Sequence, residues 1–242
     1  MSGRTLTVNT ADGPMDLYES APDQGSARAK GGVIVVQEAF GVNPHIQDVT
    51  RRFAAAGWDA IAPAFFHRQG SPILDYDDLG TVMPLLGQMT PAGLAMDLNA
   101  AVDQLSADGY ALRNIAVVGF CMGGTVTFYA ATLRPLGAAV TFYGGGLAQG
   151  RFGLPSLIDL APELQTPWLG QFGDLDGSIP VDDVEALRAA AGQQPVATEI
   201  FRYADANHGF HCDERPAVFH AEASRQAWDR TLDWMNQHAA RA

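Results

Sequence analysis

The stretch that decides the fold of this chain is Ile115-Ala116-Val117-Val118-Gly119-Phe120-Cys121-Met122-Gly123-Gly124. Its first four residues form a continuous apolar run, which is typical of a strand buried on both faces of a parallel sheet. A Gly-x-Cys-x-Gly turn follows directly and leads into a helix. This order of strand, tight turn and helix presents a nucleophilic side chain at the end of a sheet, with cysteine here in the place that serine often holds.

Each glycine of this turn has a physical reason. A nucleophile on so tight a turn adopts a strained conformation, and side chains two positions to either side would clash. Gly119 and Gly123 remove those side chains, and Gly124 allows the helix to pack closely on the sheet. The sulfur of Cys121 then lies at the positive end of the helix, which favours a thiolate. The alternative role of Cys121, a small buried apolar residue, is disfavoured by the flanking strand and helix and by the partners described below.

Strand-like and helix-like stretches alternate along the chain, which is typical of a mostly parallel sheet covered by helices. The predicted strands are residues 33–36, 59–62, 115–118, 138–143, 168–172 and 197–201. The predicted helices span residues 43–57, 90–109, 184–191 and 218–238, with a further helix after Gly123. Residues 64–89 are interpreted as a loop region with one short helix. We therefore expect a single-domain α/β-hydrolase fold over residues 1–242, with a mostly parallel central sheet and helices on both faces.

The composition of the 242 residues restricts the function. Hydrophobic residues make up 47% and charged residues 17%, so a large apolar core is expected. A formal net charge of −12 disfavours binding to nucleic acid or to an anionic membrane. Residues 1–12 lack the apolar segment of a signal peptide, and no apolar run reaches the roughly 20 residues of a membrane span. The two cysteines, Cys121 and Cys212, are typical neither of a disulfide framework nor of a zinc site, which indicates a reduced, cytoplasmic protein.

A nucleophile on this kind of turn works with an acid and then a histidine that follow it in the chain. His208 comes just after the last predicted strand, in a loop whose small residues suit the presentation of an imidazole, and His211 is its competitor. The acid is expected after the preceding strand, where Asp174 and Asp176 both lie between Gly173 and Pro180. Asp176 has the better spacing to the Ile-Pro pair, and Asp174 is the alternative. The aspartate that is not used is expected to form a turn.

Four segments of the chain resemble the dienelactone hydrolase family. They are Gln37-Glu38-Ala39-Phe40-Gly41-Val42-Asn43, the turn from Gly119 to Gly124, the loop from Gly173 to Pro180, and Asn207-His208-Gly209-Phe210. The pair of Gln-Glu-x-Phe-Gly and Gly-x-Cys-x-Gly-Gly is specific, because ordinary serine esterases have neither the glutamate nor the cysteine. The resemblance implies a triad of Cys121, Asp176 and His208. It also implies that Glu38 contacts the resting thiol and helps to generate the thiolate when substrate binds, which limits oxidation of the sulfur.

The oxyanion hole and the substrate pocket are expected around the same segments. The backbone N–H groups of Met122 and Ala39 are the expected oxyanion donors, since one follows the nucleophile and the other lies in the loop after an early strand. Phe40 and Tyr143 are candidate walls of the pocket, with plain core packing as the alternative. Arg68 is expected either to line the pocket or to brace a loop.

One position departs from the resembled family, which binds the carboxylate of its substrate with arginines. Position 212, four residues after His208, is cysteine rather than arginine, and Arg215 does not match the family position. The native substrate is therefore left open within the esters and lactones.

The sequence predicts a carboxylic-ester or lactone hydrolase that acts on a small molecule with a cysteine nucleophile and needs no metal or organic cofactor. One alternative is the hydrolysis of aryl esters or phosphotriesters by the same thiol. Another is a non-catalytic binding protein of the same fold, which the intact set of site residues disfavours. A third is a thiol redox protein, which would need Cys212 to come close to Cys121 in the fold.

Overall fold

A single eight-stranded sheet runs through the protein, whose computed structural model describes residues 2–22 and 29–241. Its strands are β1 (Arg4–Thr10), β2 (Gly13–Ser20), β3 (Gly32–Val36), β4 (Asp59–Pro63), β5 (Ile115–Phe120), β6 (Ala138–Phe142), β7 (Trp168–Gly173) and β8 (Thr198–Tyr203). Their spatial order is β1-β2-β4-β3-β5-β6-β7-β8. Strands β3 to β8 are parallel, and β1 and β2 add an antiparallel hairpin at one edge. The predicted mostly parallel sheet is confirmed.

Helices cover both faces of this sheet, as predicted. They are α1 (Pro44–Ala55), α2 (Leu79–Leu86), α3 (Pro91–Ala107), α4 (Met122–Leu133), α5 (Leu157–Leu160), α6 (Val181–Ala191) and α7 (Ala221–His238). In the sheet, β4 lies next to β3 on one side, and β6 lies next to β5 on the opposite side. Because both connections are right-handed crossovers, α1 and α4 lie on opposite faces of the sheet. On the face of α1, Phe53 packs on Trp228 of α7 with ring centroids 4.6 Å apart.

The starts of two helices follow from their capping residues. The side chain of Asn43 accepts a hydrogen bond of 3.0 Å from the N–H of Ile46 at the start of α1. The hydroxyl of Thr90 accepts one of 3.1 Å from Gly93 at the start of α3. A proline follows each cap, at the position where its missing N–H costs nothing. These local signals explain why the predicted and observed helices begin at the same residues.

The direction of chain progression reverses between β3 and β5, which lie side by side with Val36 opposite Gly119. In open α/β sheets such a switch point leaves a crevice at the carboxyl ends of the strands, and ligands bind there. The tight turn at Cys121 follows β5, and Glu38 follows β3. All residues of β3, β5, β6 and β7 are buried, so the loops that leave them start from rigid positions.

The hairpin of β1 and β2 was not predicted from the sequence. Strand β1 lies at the edge of the sheet and is mostly polar and partly exposed, so it lacks a continuous apolar run. The available signal was the Asp12-Gly13 pair, where Gly13 adopts a φ of 118° directly after the two-residue turn. Buried Met15 and Leu17 alternate with exposed residues in β2 and are the second part of that signal.

Three smaller differences concern helices. The short helix expected within residues 64–89 is α2, whose start is capped by Asp78. The last helix begins at Ala221 rather than at Val218, because the ring of His220 accepts a hydrogen bond of 3.1 Å from the N–H of Ala223. The one-turn helix α5 was not expected. No helix in residues 2–22 and 29–241 is long and apolar enough to cross a membrane.

Candidate active site

The turn at Cys121 has the strained geometry that its glycines suggested. Cys121 adopts φ 55° and ψ −117°, a region that residues with a side chain rarely occupy. Its N–H donates a hydrogen bond of 3.0 Å to the carbonyl oxygen of Phe142 on the neighbouring strand. A Cβ atom at Gly119 would overlap the carbonyl oxygen of Gly123, and one at Gly124 would lie 2.7 Å from that of Phe142. No larger residue fits these positions without moving the sheet or α4.

The backbone amides of Met122 and Ala39, the expected oxyanion donors, lie where the start of α4 meets the end of β3. A Cβ atom at Gly123 would overlap the carbonyl oxygens of Val36 and Gln37, so the start of α4 rests on the end of β3. Met122 and Ala39 belong to one apolar cluster at this contact. Within the described residues neither amide donates a hydrogen bond to the protein, as expected for the first N–H of a helix. Both amides are therefore available to an anion beside the sulfur.

The loops after β7 and β8 bring one histidine and one aspartate together. Nδ1 of His208 lies 2.6 Å from Oδ2 of Asp176, which is almost fully buried. The other carboxylate oxygen, Oδ1, accepts hydrogen bonds from the N–H and the hydroxyl of Ser178, at 2.9 and 2.7 Å. Asp174, the alternative in the same loop, faces away and makes a two-pronged ion pair with Arg202, at 2.7 and 2.8 Å.

The charges of this pair are set by their partners. Burial alone would lower the pKa of His208, but the hydrogen bond with Asp176 and the proximity of Asp176 and of the Cys121 sulfur raise it to about 10. Burial would raise the pKa of Asp176, but hydrogen bonds from His208 and Ser178 and the charge of His208 hold it below its ordinary value. An ionised aspartate therefore holds a protonated imidazole next to the sulfur at neutral pH.

Glu38 is buried at the end of β3, and neither of its carboxylate oxygens meets the geometry of a hydrogen bond. Burial raises its pKa, which the positive charges of His45, Arg215 and His208 and the nearby hydroxyl of Tyr143 counteract. That hydroxyl is also buried without a hydrogen bond of normal geometry. Glu38 is thus an unsatisfied carboxyl group among polar neighbours, which is uncommon in a folded protein.

His211 and Cys212 form a buried pair directly behind the site. The ring of His211 packs against those of Phe120 and Phe142, at centroid distances of 5.3 and 5.1 Å. Both of its nitrogens are buried without hydrogen-bond partners, and burial lowers its pKa to about 3. Burial and the negative charge of Glu38 raise the pKa of Cys212 to about 12. The competitor histidine is therefore neutral and enclosed.

Tyr76 and Arg215 adjoin the site; Tyr76 was not expected there, and Arg215 was considered able to reach the site although its position does not match the resembled family. The hydroxyl of Tyr76 accepts hydrogen bonds from the Asn43 amide at 3.0 Å and from the Cys212 thiol at 3.3 Å. The guanidinium of Arg215 lies 5.0 Å from the centre of the Tyr76 ring and 5.9 Å from that of Phe40. The sequence offered little to indicate Tyr76 beyond its being an aromatic residue in the loop region of residues 64–89. Arg215 lies three positions beyond the one that the resemblance indicates, and a turn brings it back.

The three candidate pocket residues have different surroundings. Phe40 packs edge-on against Tyr76, with ring centroids 4.7 Å apart, in the cluster that holds Met122. Tyr143 is fully buried under His208, with ring centroids 5.1 Å apart. Arg68 is ion-paired with Asp97 and Asp12, both at 2.8 Å, and is not brought together with the other site residues. These contacts are those of a brace between the loop and α3.

No group of three metal-ligating side chains occurs among residues 2–22 and 29–241. The polar groups that converge at the end of β5 are a thiol, an imidazole, two carboxyl groups and two free amides. A thiol next to a charged imidazole can add to an electrophilic carbonyl, and free amides can receive the resulting oxyanion.

Comparison with known proteins extends over nearly the whole chain. The sequence model of the dienelactone hydrolase family matches residues 15–239. The chain is similar to a candidate carboxymethylenebutenolidase of Yersinia pestis, with 37% identity over 239 residues that cover 98% of this chain and 88% of the relative. A candidate of the same name from Escherichia coli K12 is 36% identical over 230 residues, which cover 94% of this chain and 84% of the relative.

Solved structures also match nearly the whole chain. A candidate dienelactone hydrolase from Klebsiella pneumoniae superposes with a TM-score of 0.90 at 34% identity, covering 98% of this chain and 99% of that one. A dienelactone hydrolase-like promiscuous phosphotriesterase from metagenomic libraries superposes with a TM-score of 0.78 at 24% identity, covering 98% and 99%. The second likeness shows a common fold.

Proposed function

This chain belongs to the dienelactone hydrolase family and is a hydrolase of ester or lactone bonds, and we propose that Cys121 is the nucleophile with which it cleaves them. The observation that carries the proposal is the position of one imidazole. Its Nδ1 lies 2.6 Å from Asp176, and the Cys121 sulfur is close enough to the same ring to raise its pKa. A nucleophile, a base that serves it and an acid that orients the base are the parts that covalent catalysis requires.

The first half of the reaction forms a thioester. With His208 protonated, the sulfur of Cys121 reacts as a thiolate and attacks the carbonyl carbon of the ester or lactone. The carbonyl electrons move to the oxygen, and the amides of Met122 and Ala39 stabilise the resulting oxyanion. When this intermediate collapses, the carbon–oxygen bond breaks and His208 gives its proton to the leaving oxygen.

The second half restores the enzyme. The neutral imidazole of His208, oriented by Asp176, takes a proton from a water molecule that attacks the thioester carbonyl. Collapse of the second oxyanion releases the carboxylic acid and expels the thiolate of Cys121. His208 retains the proton from water, and the expelled thiolate takes back a proton from Glu38, which restores the resting thiol.

Glu38 is proposed to exchange a proton with the resting thiol, as the family resemblance implies. Its buried carboxyl group has a raised pKa and no hydrogen-bond partner of normal geometry. Such a group binds a proton more readily than an exposed carboxylate does, because burial disfavours its charged form. When substrate binds, the proton of the Cys121 thiol moves to the Glu38 carboxylate, so the sulfur becomes a thiolate and Glu38 becomes neutral; the proton returns to the sulfur when the thiolate is expelled.

Arg215 favours a substrate that carries an acidic group. Among the described residues no carboxylate lies within 4.0 Å of its guanidinium, although it lies over the Phe40 and Tyr76 rings beside the site. A half-buried cation without a counter-ion is a ready anchor for a carboxylate. Arg215 places a positive charge next to the site, although the protein as a whole has a net charge of −12.

The experiment that tests the proposal is a substrate panel. It contains an activated aryl ester, a lactone with a carboxylate, the methyl ester of that lactone acid and a phosphotriester. Wild type, Cys121→Ala and Arg215→Gln are assayed, each with a thermal melt. We expect Cys121→Ala to lose hydrolysis of every carbonyl substrate while remaining folded. Arg215→Gln should lose about 10- to 100-fold in kcat/KM on the carboxylate lactone and far less on its methyl ester.

Two results would contradict these statements separately. Hydrolysis of carbonyl esters by folded Cys121→Ala would exclude Cys121 as the nucleophile. Faster turnover of the phosphotriester than of any carbonyl substrate would replace the proposed substrate class and leave the nucleophile intact.

A further inference from the structure

Backbone strain is concentrated around the nucleophile. In the described part of the chain, the residues other than glycine with positive φ are Ser71, Cys121, Tyr143 and Phe152. Cys121 is the central residue of the Gly-x-Cys-x-Gly turn, and Tyr143 lies beneath His208. Such conformations cost free energy and persist mainly where function requires them. Phe152, with a φ of 58°, is a strained residue for which the proposed reaction has no role so far.

Phe152 lies at the border of two apolar clusters. One is the main core, and the other, here called the second cluster, covers the site. The buried members of the second cluster are Ala39, Phe40, Phe66, Val82, Leu85 and Met122. Phe152, Cys121 and Met89 pack against both clusters, and all three remain partly exposed. The sulfur therefore shares this border with an aromatic ring and a thioether.

The chain segments of Phe152 and Met89 meet directly. Gly153 adjoins Pro91 so closely that a Cβ atom at Gly153 would lie 3.0 Å from Pro91 Cδ. This contact joins the loop between β6 and α5 to the first residue of α3, two positions after Met89. The side chains of Phe152 and Met89, which pack against the same two clusters, are therefore close to this contact.

We propose that Phe152 and Met89 form an apolar subsite that receives an aryl or branched alkyl group next to the carbon attacked by Cys121. This inference rests on the proposed function, because the subsite serves the same nucleophile. A ring held at a fixed place by a strained backbone binds an apolar group without losing much side-chain freedom. Phe152 therefore determines specificity and takes no part in bond breaking.

The test uses two alkylating reagents with the same reactive group, 2-iodoacetamide and N-benzyl-2-iodoacetamide. Their rates of reaction at Cys121 are followed by peptide mass mapping, and the ratio of the rates measures binding of the benzyl group. In wild type we expect the benzyl reagent to react about tenfold faster, as an apolar group gains from a fitting pocket. In Phe152→Gly this advantage should disappear, and in Met89→Ala it should be reduced.

Matched variants separate binding from stability. Phe152→Gly removes the ring and also the strain, since glycine tolerates positive φ, so its melting temperature should change little. Ser71→Gly relieves similar strain at a φ of 52° without removing an apolar side chain, and Met83→Ala removes a methionine that is 63% exposed. Neither control should alter the rate ratio.

The outcomes distinguish the subsite from the reaction. A wild-type ratio near one, or a ratio that Phe152→Gly leaves unchanged, would overturn the subsite even if the protein hydrolyses esters well. Equal loss of the ratio in Met83→Ala would also overturn it. Loss of the ratio in Phe152→Gly and its reduction in Met89→Ala, with both controls unchanged, would support the subsite even if ester hydrolysis were not found; an unchanged ratio in Met89→Ala would remove Met89 from it.

Discussion

Two cysteine–histidine pairs lie next to each other in this protein and differ in nearly every physical respect. The outer pair is Cys121 and His208, and the inner pair is His211 and Cys212. Cys121 is partly exposed at the start of α4, while Cys212 is fully buried and donates its hydrogen to Tyr76. His208 has an ionised partner in Asp176, whereas His211 packs against aromatic rings and its nitrogens have no hydrogen-bond partner among the described residues. The same residue types are therefore given opposite chemistry by their surroundings.

The difference shows which features produce reactivity. A charged neighbour raises the pKa of His208 to about 10, whereas burial without a partner lowers that of His211 to about 3. Burial likewise raises the pKa of Cys212 to about 12, so its thiol stays protonated and inert. Exposure, a helix start and an ionised partner distinguish the outer pair.

The largest expected effect comes from exchanging sulfur for oxygen in each pair. Cys121→Ser should lower kcat by about 10⁴-fold, because a hydroxyl is far less acidic than a thiol and the site lacks a base strong enough to activate it. Cys212→Ser should keep kcat within about threefold, since the hydroxyl can still donate to Tyr76. Steady-state hydrolysis of an activated aryl ester checks both variants.

A thermal melt of both serine variants is the control, because each exchange is nearly isosteric. Wild-type turnover by Cys121→Ser at an unchanged melting temperature would mean that the nucleophile is interchangeable. The thiol-specific role proposed for Glu38 would then be wrong.

The next effect separates two aspartates in one loop. Asp176→Asn should lower kcat by about 10³-fold or more, because the imidazole loses the partner that orients it and stabilises its charge. Asp174→Asn breaks only a pair with Arg202 near the surface, so it should cost at most about 1 kcal/mol of stability and little activity. Kinetics of both variants under one set of conditions gives the ranking. The reverse ranking would transfer the acid role to Asp174.

A smaller effect is expected in the titration of the two histidines. By NMR, the ring of His208 should titrate near pH 10 and that of His211 should remain neutral from pH 5 upward. In Asp176→Asn the His208 titration should move down toward its ordinary value of 6.5. Assignment by His208→Gln identifies the signal. Coincident titrations of the two rings would remove the distinction between the pairs.

The pKa values of His208 and His211 make the stability of the protein depend on pH in opposite directions. The folded pKa of His208 is above its ordinary value of 6.5, so its contribution is complete below pH 6.5 and is lost as the pH rises toward 10. The folded pKa of His211 is below 6.5, so its contribution is complete above pH 6.5 and is lost as the pH falls toward 3. The melting temperature of His208→Gln should therefore approach that of wild type at high pH, and the melting temperature of His211→Gln should approach it at low pH.

Sequence signals predicted the elements whose patterns are local and strong. The apolar runs of β3 and β5 and the caps Asn43 and Thr90 lie within a few residues of the features they determine. The edge strand β1 escaped because its stability comes from pairing with β2, and its own residues are mostly polar. Propensity is weak where tertiary pairing decides the structure.

The site shows the same division. Chain order and loop position suffice to propose Cys121, Asp176 and His208, because each follows a predicted strand. Arg215 could not be ranked from sequence, since a turn brings it back toward the site, and the positive φ of Phe152, on which the proposed subsite rests, has no signal in the sequence. Arg68 could equally line the pocket or brace a loop by sequence, and its ion pairs with Asp97 and Asp12 are those of the brace.

The most direct test of the central claim is reversible modification of the outer cysteine. Methyl methanethiosulfonate adds a small group to a reactive thiol, and a reductant removes it. Peptide mapping follows labelling of Cys121 and Cys212 while esterase activity is measured in the same samples. We expect Cys121 to be labelled at least about 100-fold faster, activity to fall in step with that labelling, and reduction to restore it. Full activity with Cys121 completely labelled would contradict its role as the nucleophile.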